Sequence, residues 1–450
     1  MAASTIDPVA GDQAPTRETG ASEEQLYRRV IYRIVPLLFL GFIISYLDRV
    51  NIGFAKLQMA REFGLSDTSF AVGASVFFWG YMLFEIPSNL VLHRIGARVW
   101  IARIMISWGI VSMLMIFSRS ETAFYALRFL LGVCEAGFVP GVMFYVNGWL
   151  PSTRQSGLYS LFLMALPVSL VLGAPLSGAI LDMANGWLGI SGWQWLFLIE
   201  GLPAILLGLV ILARLDSRIA GARWLSEGEK QLLTARVAEE ARDKAGDIWT
   251  LLRTGRVYLL LAIMILFNTG FYGLSFWLPS IVKAAGIKSD LDVGLLTAIP
   301  FVVAAFAMRL NALHSEKAGE KRLHGAAPAI LAGLALPLSA YFSQNLAASL
   351  ALIAVAAAGI LSLMPIFWTL PGRILTGKAA AVGLAGINSF GSLSGILGAM
   401  IIGYAGPQLG IIILGVFLLM AGMLLYLATG LAPRTAATPG VRPLTLETTP

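Results

Sequence analysis

Residues 34–56 read IVPLLFLGFIISYLDRVNIGFAK, an apolar run with Asp48, Arg49 and Asn51 set inside it. A helix needs ~20 apolar residues to cross about 30 Å of hydrocarbon, and this stretch is long enough. Charged side chains are costly at that depth, so those that occur there usually face a cavity and serve a function. The run therefore reads as a membrane span with a polar site built into it.

Eleven further runs of the same kind follow, over residues 70–92, 99–118, 122–147, 157–182, 193–214, 257–282, 292–313, 323–343, 346–368, 379–403 and 409–430. Composition points the same way. Of the 450 residues, 57% are hydrophobic and 13% are charged, whereas soluble domains stand nearer half and a quarter. The mean hydropathy is +0.78. Lipid-facing surface explains the missing charge. The expected fold is an all-α membrane protein with twelve transmembrane helices in two six-helix, pseudo-symmetric bundles.

The basic residues test this count, because Lys and Arg concentrate in cytoplasmic loops. With the N-terminus inside, 25 of the 32 Lys and Arg fall in inner segments, five fall in outer ones, and Arg49 and Arg128 lie within spans. Lys56 is counted among the outer five. A miscounted span would scramble that bias, so both termini are expected in the cytoplasm. The net charge of +7 thus reflects topology, and no nucleic-acid partner is expected.

The division that follows is a cytoplasmic tail over 1–33, a six-helix bundle over 34–214, a cytoplasmic linker over 215–256, a second bundle over 257–430 and a disordered tail over 431–450. The linker carries Ser226-Glu227-Gly228-Glu229, a capping-box pattern, and is expected to form a short amphipathic helix. The N-terminal tail lacks the apolar core of a signal peptide. Cys134 is the only cysteine and the three histidines show no metal-ligand spacing, so neither a disulfide nor a metal site is expected. Nor does the chain show a nucleophile–base constellation or a phosphate loop, and an enzyme is not expected.

The embedded charges form a pattern. Asp48 lies ~10 Å and Arg128 ~9 Å from the outer ends of their spans. Arg128 and Glu135 are seven residues apart and share a helix face. Two cations and two carboxylates are expected in one layer. Glu85, near the inner end of span two, reads as a structural ion-pair partner, and Glu200 stays open between structure and function. Charge is absent from the interiors of spans seven, nine, eleven and twelve. Spans seven and eleven offer Asn268, Tyr272, Trp277 and Asn388 instead. Asn268 and Tyr272 share a face, Asn388 sits among glycines, and Trp277, near an interface, reads as a lipid-belt or packing aromatic. Tyr81 is a further candidate in span two. The fifth span of each half is Gly-rich, with Gly173 and Gly178 in one and Gly383, Gly386, Gly391, Gly395 and Gly398 in the other.

Five stretches carry a resemblance: Tyr46–Gly53 (YLDRVNIG), Phe84–Asn89 (FEIPSN), His93–Arg98 (HRIGAR), Arg128–Gly137 (RFLLGVCEAG) and Ile387–Ser389 (INS). The chain resembles the major facilitator superfamily over residues 30–430, and within it the anion:cation symporter family. That resemblance implies import of a small organic carboxylate with protons, by alternating access, across a bacterial inner membrane. It implies that Arg49 binds the carboxylate, that Tyr81 and Asn388 line the cavity, and that Asp48 and Glu135 take up protons with Arg128 balancing them. Asn268 and Tyr272 join the expected lining. The partners implied are the organic anion, protons and the lipid bilayer, with no cofactor, and the chain is expected to work as a monomer. One departure stands out: the superfamily's basic loop carries an Asp where this chain has His93. Two other readings remain, an anion exchanger of the same fold and a non-transporting membrane sensor. The exchangers of this superfamily carry an Arg in span seven, which this chain lacks.

Overall fold

The computed structural model describes residues 17–241, 255–371 and 386–430. Expectations for the first 16 residues, for the C-terminal tail, for the end of the linker, and for Gly383 and the start of span eleven lie outside the described residues. Among the described residues, twelve helices are long and apolar enough to cross a membrane: Glu23–Glu62, Asp67–Ile95, Ala97–Phe117, Glu121–Asn147, Gly157–Met183, Gly192–Arg214, Gly255–Ala284, Asp290–Ala318, Arg322–Tyr341, Leu346–Thr369, Gly386–Ala405 and Pro407–Thr429. They are spans one to twelve below.

Span one differs from its expected bounds. The helix runs past an irregular turn at Asn51 and continues as Ile52–Glu62, so Lys56 lies inside the span and not in an outer loop. Lys56 is buried, with Nζ 3.9 Å from the ring centroid of Trp277 and 2.6 Å from Asp67. Trp277 is buried as well, donating its indole N–H to the Ala399 carbonyl at 3.2 Å. Of the two expected readings, lipid belt or packing, it takes the second, packing between the halves.

Five of the even-numbered spans, two, four, six, eight and ten, start in a common way. Ser66 accepts from the Ser69 amide, Ser120 from Ala123, Ser289 from Asp292 and Asn345 from Ala348. At span six the Gln194 side chain accepts from the Ser191 amide at 2.9 Å. Such caps satisfy amide donors that the helix itself leaves orphaned. All five lie at one end of the molecule, here the cap end. The opposite, basic end carries the tight turn between spans two and three, where Gly96 takes φ 98°, a conformation that favours glycine.

The two halves repeat one packing pattern. Span one packs on five, two on four and three on six; seven packs on eleven, eight on ten and nine on twelve. The halves meet along spans five and eight, two and eleven, and one and seven. At the span five–eight seam, a Cβ on Gly178 would stand 2.4 Å from the Asp290 carbonyl oxygen, and one on Gly294 would stand 2.3 Å from that of Ala174. Only glycine allows this approach.

Polar contacts join the halves at the cap end. Gln58 donates to Asp290 at 3.1 Å and Thr68 to the Gly403 carbonyl at 3.3 Å. Asp182 accepts from the Ser289 hydroxyl and from the amides of Asp290 and Leu291. An open recess of ≈ 990 Å³ lies beside these contacts, lined in part by Lys56, Asp67, Trp277 and Ser343. At the basic end, the helix Glu227–Ala241 docks on the start of span one. Glu229 pairs with Arg29 and Arg236 with Glu23. The Ser226 amide donates to Glu229 at 2.9 Å and Ser226 Oγ accepts from the Glu229 amide at 3.3 Å, so the capping box forms.

Candidate functional site

Arg49 sits where span one meets spans two, four and seven. Its guanidinium pairs with Glu135, donates to the Tyr272 hydroxyl at 3.3 Å and lies 5.3 Å from the ring centroid of Tyr81. Tyr272 belongs to the second half, so one side chain touches both bundles. Glu135 also accepts from Ser45 at 2.8 Å. Span four breaks immediately after Glu135: Gly137, at φ 88°, would carry a Cβ 2.4 Å from Ser88 Oγ. The break leaves Glu135 on the last turn of its half-helix.

Asp48 adjoins Arg49 in sequence but points elsewhere, as consecutive helical residues do. It accepts from Ser112 of span three. Among the described residues Arg128 forms no ion pair within 4 Å. Its hydrogen bond is to the Gly73 carbonyl, at 3.4 Å, and its guanidinium carbon stands 4.8 Å from the Phe77 ring centroid. Arg49 stands 5.4 Å from that same ring. A desolvated cation over an aromatic face gains on the order of 2 kcal/mol, so Phe77 takes the place expected of a counter-ion.

Among the described residues Glu85 has no ion-pair partner, where a structural ion pair was expected. It accepts from Asn388 Nδ2 at 2.8 Å, a contact between span two and span eleven that ties the halves together on the basic side of Arg49. Asn388 therefore reaches Glu85 and does not contact Arg49. Asn268 lies one turn below Tyr272, half-buried, with Oδ1 unpaired. Glu200 accepts from Ser177 at 2.8 Å. Asp48, Arg49, Glu85, Arg128, Glu135 and Glu200 are each at most 6% exposed. Each unpaired ion in such an interior costs several kcal/mol.

Sequence reasoning brought Arg49, Glu135, Tyr81 and Tyr272 into view, and the structure sets these four side by side. It missed Ser45, Phe77 and Ser112, which carry no charge to mark them. It also missed Lys56, whose charge reads in sequence as the end of its span.

The sequence profile of the Major Facilitator Superfamily matches residues 38–399. The chain belongs to that superfamily. It is a membrane transporter of facilitator type, not an enzyme. Among curated relatives, a "Putative tartrate transporter" of Agrobacterium vitis is 44% identical over 407 residues, covering 89% of this chain and 93% of that protein. The inner membrane transport protein RhmT of Escherichia coli K12 is 38% identical and covers 81% of this chain and 85% of its own length. Among solved structures, an inward-facing, occupied bacterial homologue of the lysosomal transporter Spinster superposes with a TM-score of 0.72. It is 18% identical, covering 92% of this chain and 99% of that one, and it shows the facilitator fold alone.

Proposed function

We propose that this facilitator imports a small organic carboxylate together with protons across a bacterial inner membrane, with both termini in the cytoplasm and the cap end outside. The observation that carries the reading is the Arg49–Glu135 pair at the junction of the halves, within reach of Tyr272. A carboxylate substrate is chemically equivalent to the Glu135 side chain and competes with it for the guanidinium. When substrate takes Arg49, Glu135 is left unpaired in an apolar site and takes up a proton. When substrate leaves, Arg49 returns to Glu135 and the proton is released. Binding and protonation are thereby reciprocally linked. Tyr81, Tyr272, Asn268 and Asn388 line the path, and Asp48 with Arg128 forms the second proton-handling group. The likeness to a protein named for tartrate, itself a hydroxy-dicarboxylate, supports the substrate class. The cap-end contacts would then close the outer side.

The decisive variant is Arg49→Lys. A guanidinium holds a carboxylate through two parallel hydrogen bonds that an ammonium cannot reproduce. Losing one charge-assisted bond costs ~1.5–3 kcal/mol, a roughly 10- to 100-fold loss of affinity. In liposomes, Arg49→Lys should lose that much binding of a hydroxy-carboxylate while remaining folded, and neutral sugars should not compete in the unaltered protein. Normal binding by Arg49→Lys would place the anion site elsewhere. Uptake that responds to substrate exchange but not to an imposed pH gradient would favour the exchanger.

A further inference from the structure

Span three carries a charge that the transport cycle does not use. Arg103 lies two turns past Ala97, the first residue of that helix, and so ~9 Å in from its basic end. Val99, Arg103, Ile110 and Leu114 fall on one stripe of the helix, and Val99 and Ile110 are 41% and 46% exposed. That stripe faces hydrocarbon, where a cation without a counter-charge is costly. Among the described residues no carboxylate pairs with Arg103, and its Nε is buried with no hydrogen-bond partner. Its Nη1 donates to the Ser107 hydroxyl at a long 3.5 Å.

The guanidinium is nonetheless held in place. Its carbon stands 3.8 Å from the ring centroid of Trp100, a stacking geometry that suits the planar group. The Trp100 indole N–H donates to Ser88 Oγ at 3.0 Å, and Ser88 donates to the Ala136 carbonyl at 2.7 Å. Ala136 caps the half-helix of span four that ends at Glu135. A chain of contacts thus runs from the lipid-facing surface to the break in span four. A guanidinium stacked on one face keeps its edge free, and that edge binds a phosphate through two parallel hydrogen bonds. Position narrows the ligand. Phospholipid phosphates lie at the boundary toward which a long basic side chain extends from within the membrane. A zwitterionic headgroup brings an ammonium of its own, for which no carboxylate stands paired at Arg103. An anionic headgroup brings none.

We propose that Arg103 and Trp100 form a binding site for the phosphate of an anionic phospholipid, in the leaflet at the basic end, and that the bound headgroup braces the break in span four behind Glu135. The phosphate supplies the counter-charge that the protein does not. It holds the guanidinium on Trp100, and Trp100 holds Ser88 on the Ala136 carbonyl. Neither the symport reading nor the direction of the topology enters this assignment.

The test is native mass spectrometry of the full chain with phosphatidylglycerol or phosphatidylcholine, followed by hydrogen exchange in nanodiscs of each lipid. The unaltered protein should bind its first phosphatidylglycerol at least about tenfold more tightly than phosphatidylcholine, and Arg103→Gln should lose that advantage with its charge-assisted pair. Arg103→Lys keeps the charge without the fork. It should fall between the two, and it carries the test alone if Arg103→Gln does not fold. Amide exchange at residues 136–138 should be slower in phosphatidylglycerol than in phosphatidylcholine, a difference that Arg103→Gln and Trp100→Leu both remove. A variant at Arg103 that binds phosphatidylglycerol as tightly as the unaltered protein overturns the site. Displacement of the lipid by millimolar inorganic phosphate would reveal a site for small free anions and overturns it as well. Lipid binding that leaves the exchange unchanged overturns the brace.

Discussion

Arg49 and Arg128 approach one aromatic ring, that of Phe77, yet only Arg49 has a carboxylate in contact. The difference sorts the acids by role. Glu135 is the group that a substrate displaces, so its proton uptake follows binding directly. Glu135→Gln keeps the shape and the Ser45 hydrogen bond and removes the titration. Accumulation driven by a pH gradient should disappear in this variant, while counterflow of labelled substrate stays within about tenfold of normal, a change of ~1.4 kcal/mol. Reconstituted uptake measured both ways checks this; accumulation that persists would show that Glu135 is not a necessary proton site. The sequence made the embedded residues legible because each is a charge where lipid tolerates none. It could not show which acid meets which cation. Asp48 adjoins Arg49 along the chain, yet the partner is Glu135, 86 residues away. The contact between Glu85 and Asn388 spans 303 residues and left no local sign.

Among the elements, the spans were readable because hydrophobic length is a one-dimensional property. Span one was cut short at Lys56, whose ammonium is accommodated over Trp277 by tertiary packing that no local window contains. The linker helix was readable for a different reason, since its cap lies in four consecutive residues. Glu229 now permits a pH argument. The Ser226 amide holds its carboxyl below the ordinary glutamate range, burial opposes weakly, and Arg29 adds to the lowering. A group lowered on folding stabilises above its unfolded value and ceases to do so as pH falls through its folded one. The helix should therefore be docked at neutral pH and loosen in acid. A cap of this type contributes ~1 kcal/mol, about a fivefold change in population. A spin label at Gln231→Cys, in a chain lacking Cys134, should report a mobile fraction that grows by about that factor on acidification. Replacing Glu229 by Gln should abolish the pH response. A label equally mobile at both pH values would show that the cap does not hold this helix.

At the scale of the whole molecule, the five capped helix starts and the basic loops mark opposite ends, and the proposed topology assigns the capped one to the outside. An impermeant thiol reagent added to intact cells should modify Arg119→Cys and spare Gln231→Cys; the reverse pattern would invert the topology. The seams offer a second handle. Spans five and eight, and spans two and eleven, occupy equivalent places in the repeated packing, and the former pair closes on bare backbone at Gly178 and Gly294. A methyl or isopropyl group at Gly178 has nowhere to go only while that seam is shut. Its steric penalty of ~1–3 kcal/mol therefore falls on one conformer and not on the fold. The position behaves as a wedge in a door: Gly178→Val should shift the resting population toward the outward-open form by roughly 5- to 150-fold. Pulsed spin-label distances between Arg119→Cys and Tyr341→Cys, one on each half, should lengthen accordingly. An unchanged distribution would mean that the seam yields elsewhere. With the expected lengthening, one bare glycine backbone sets how the resting transporter divides between facing each side of the membrane.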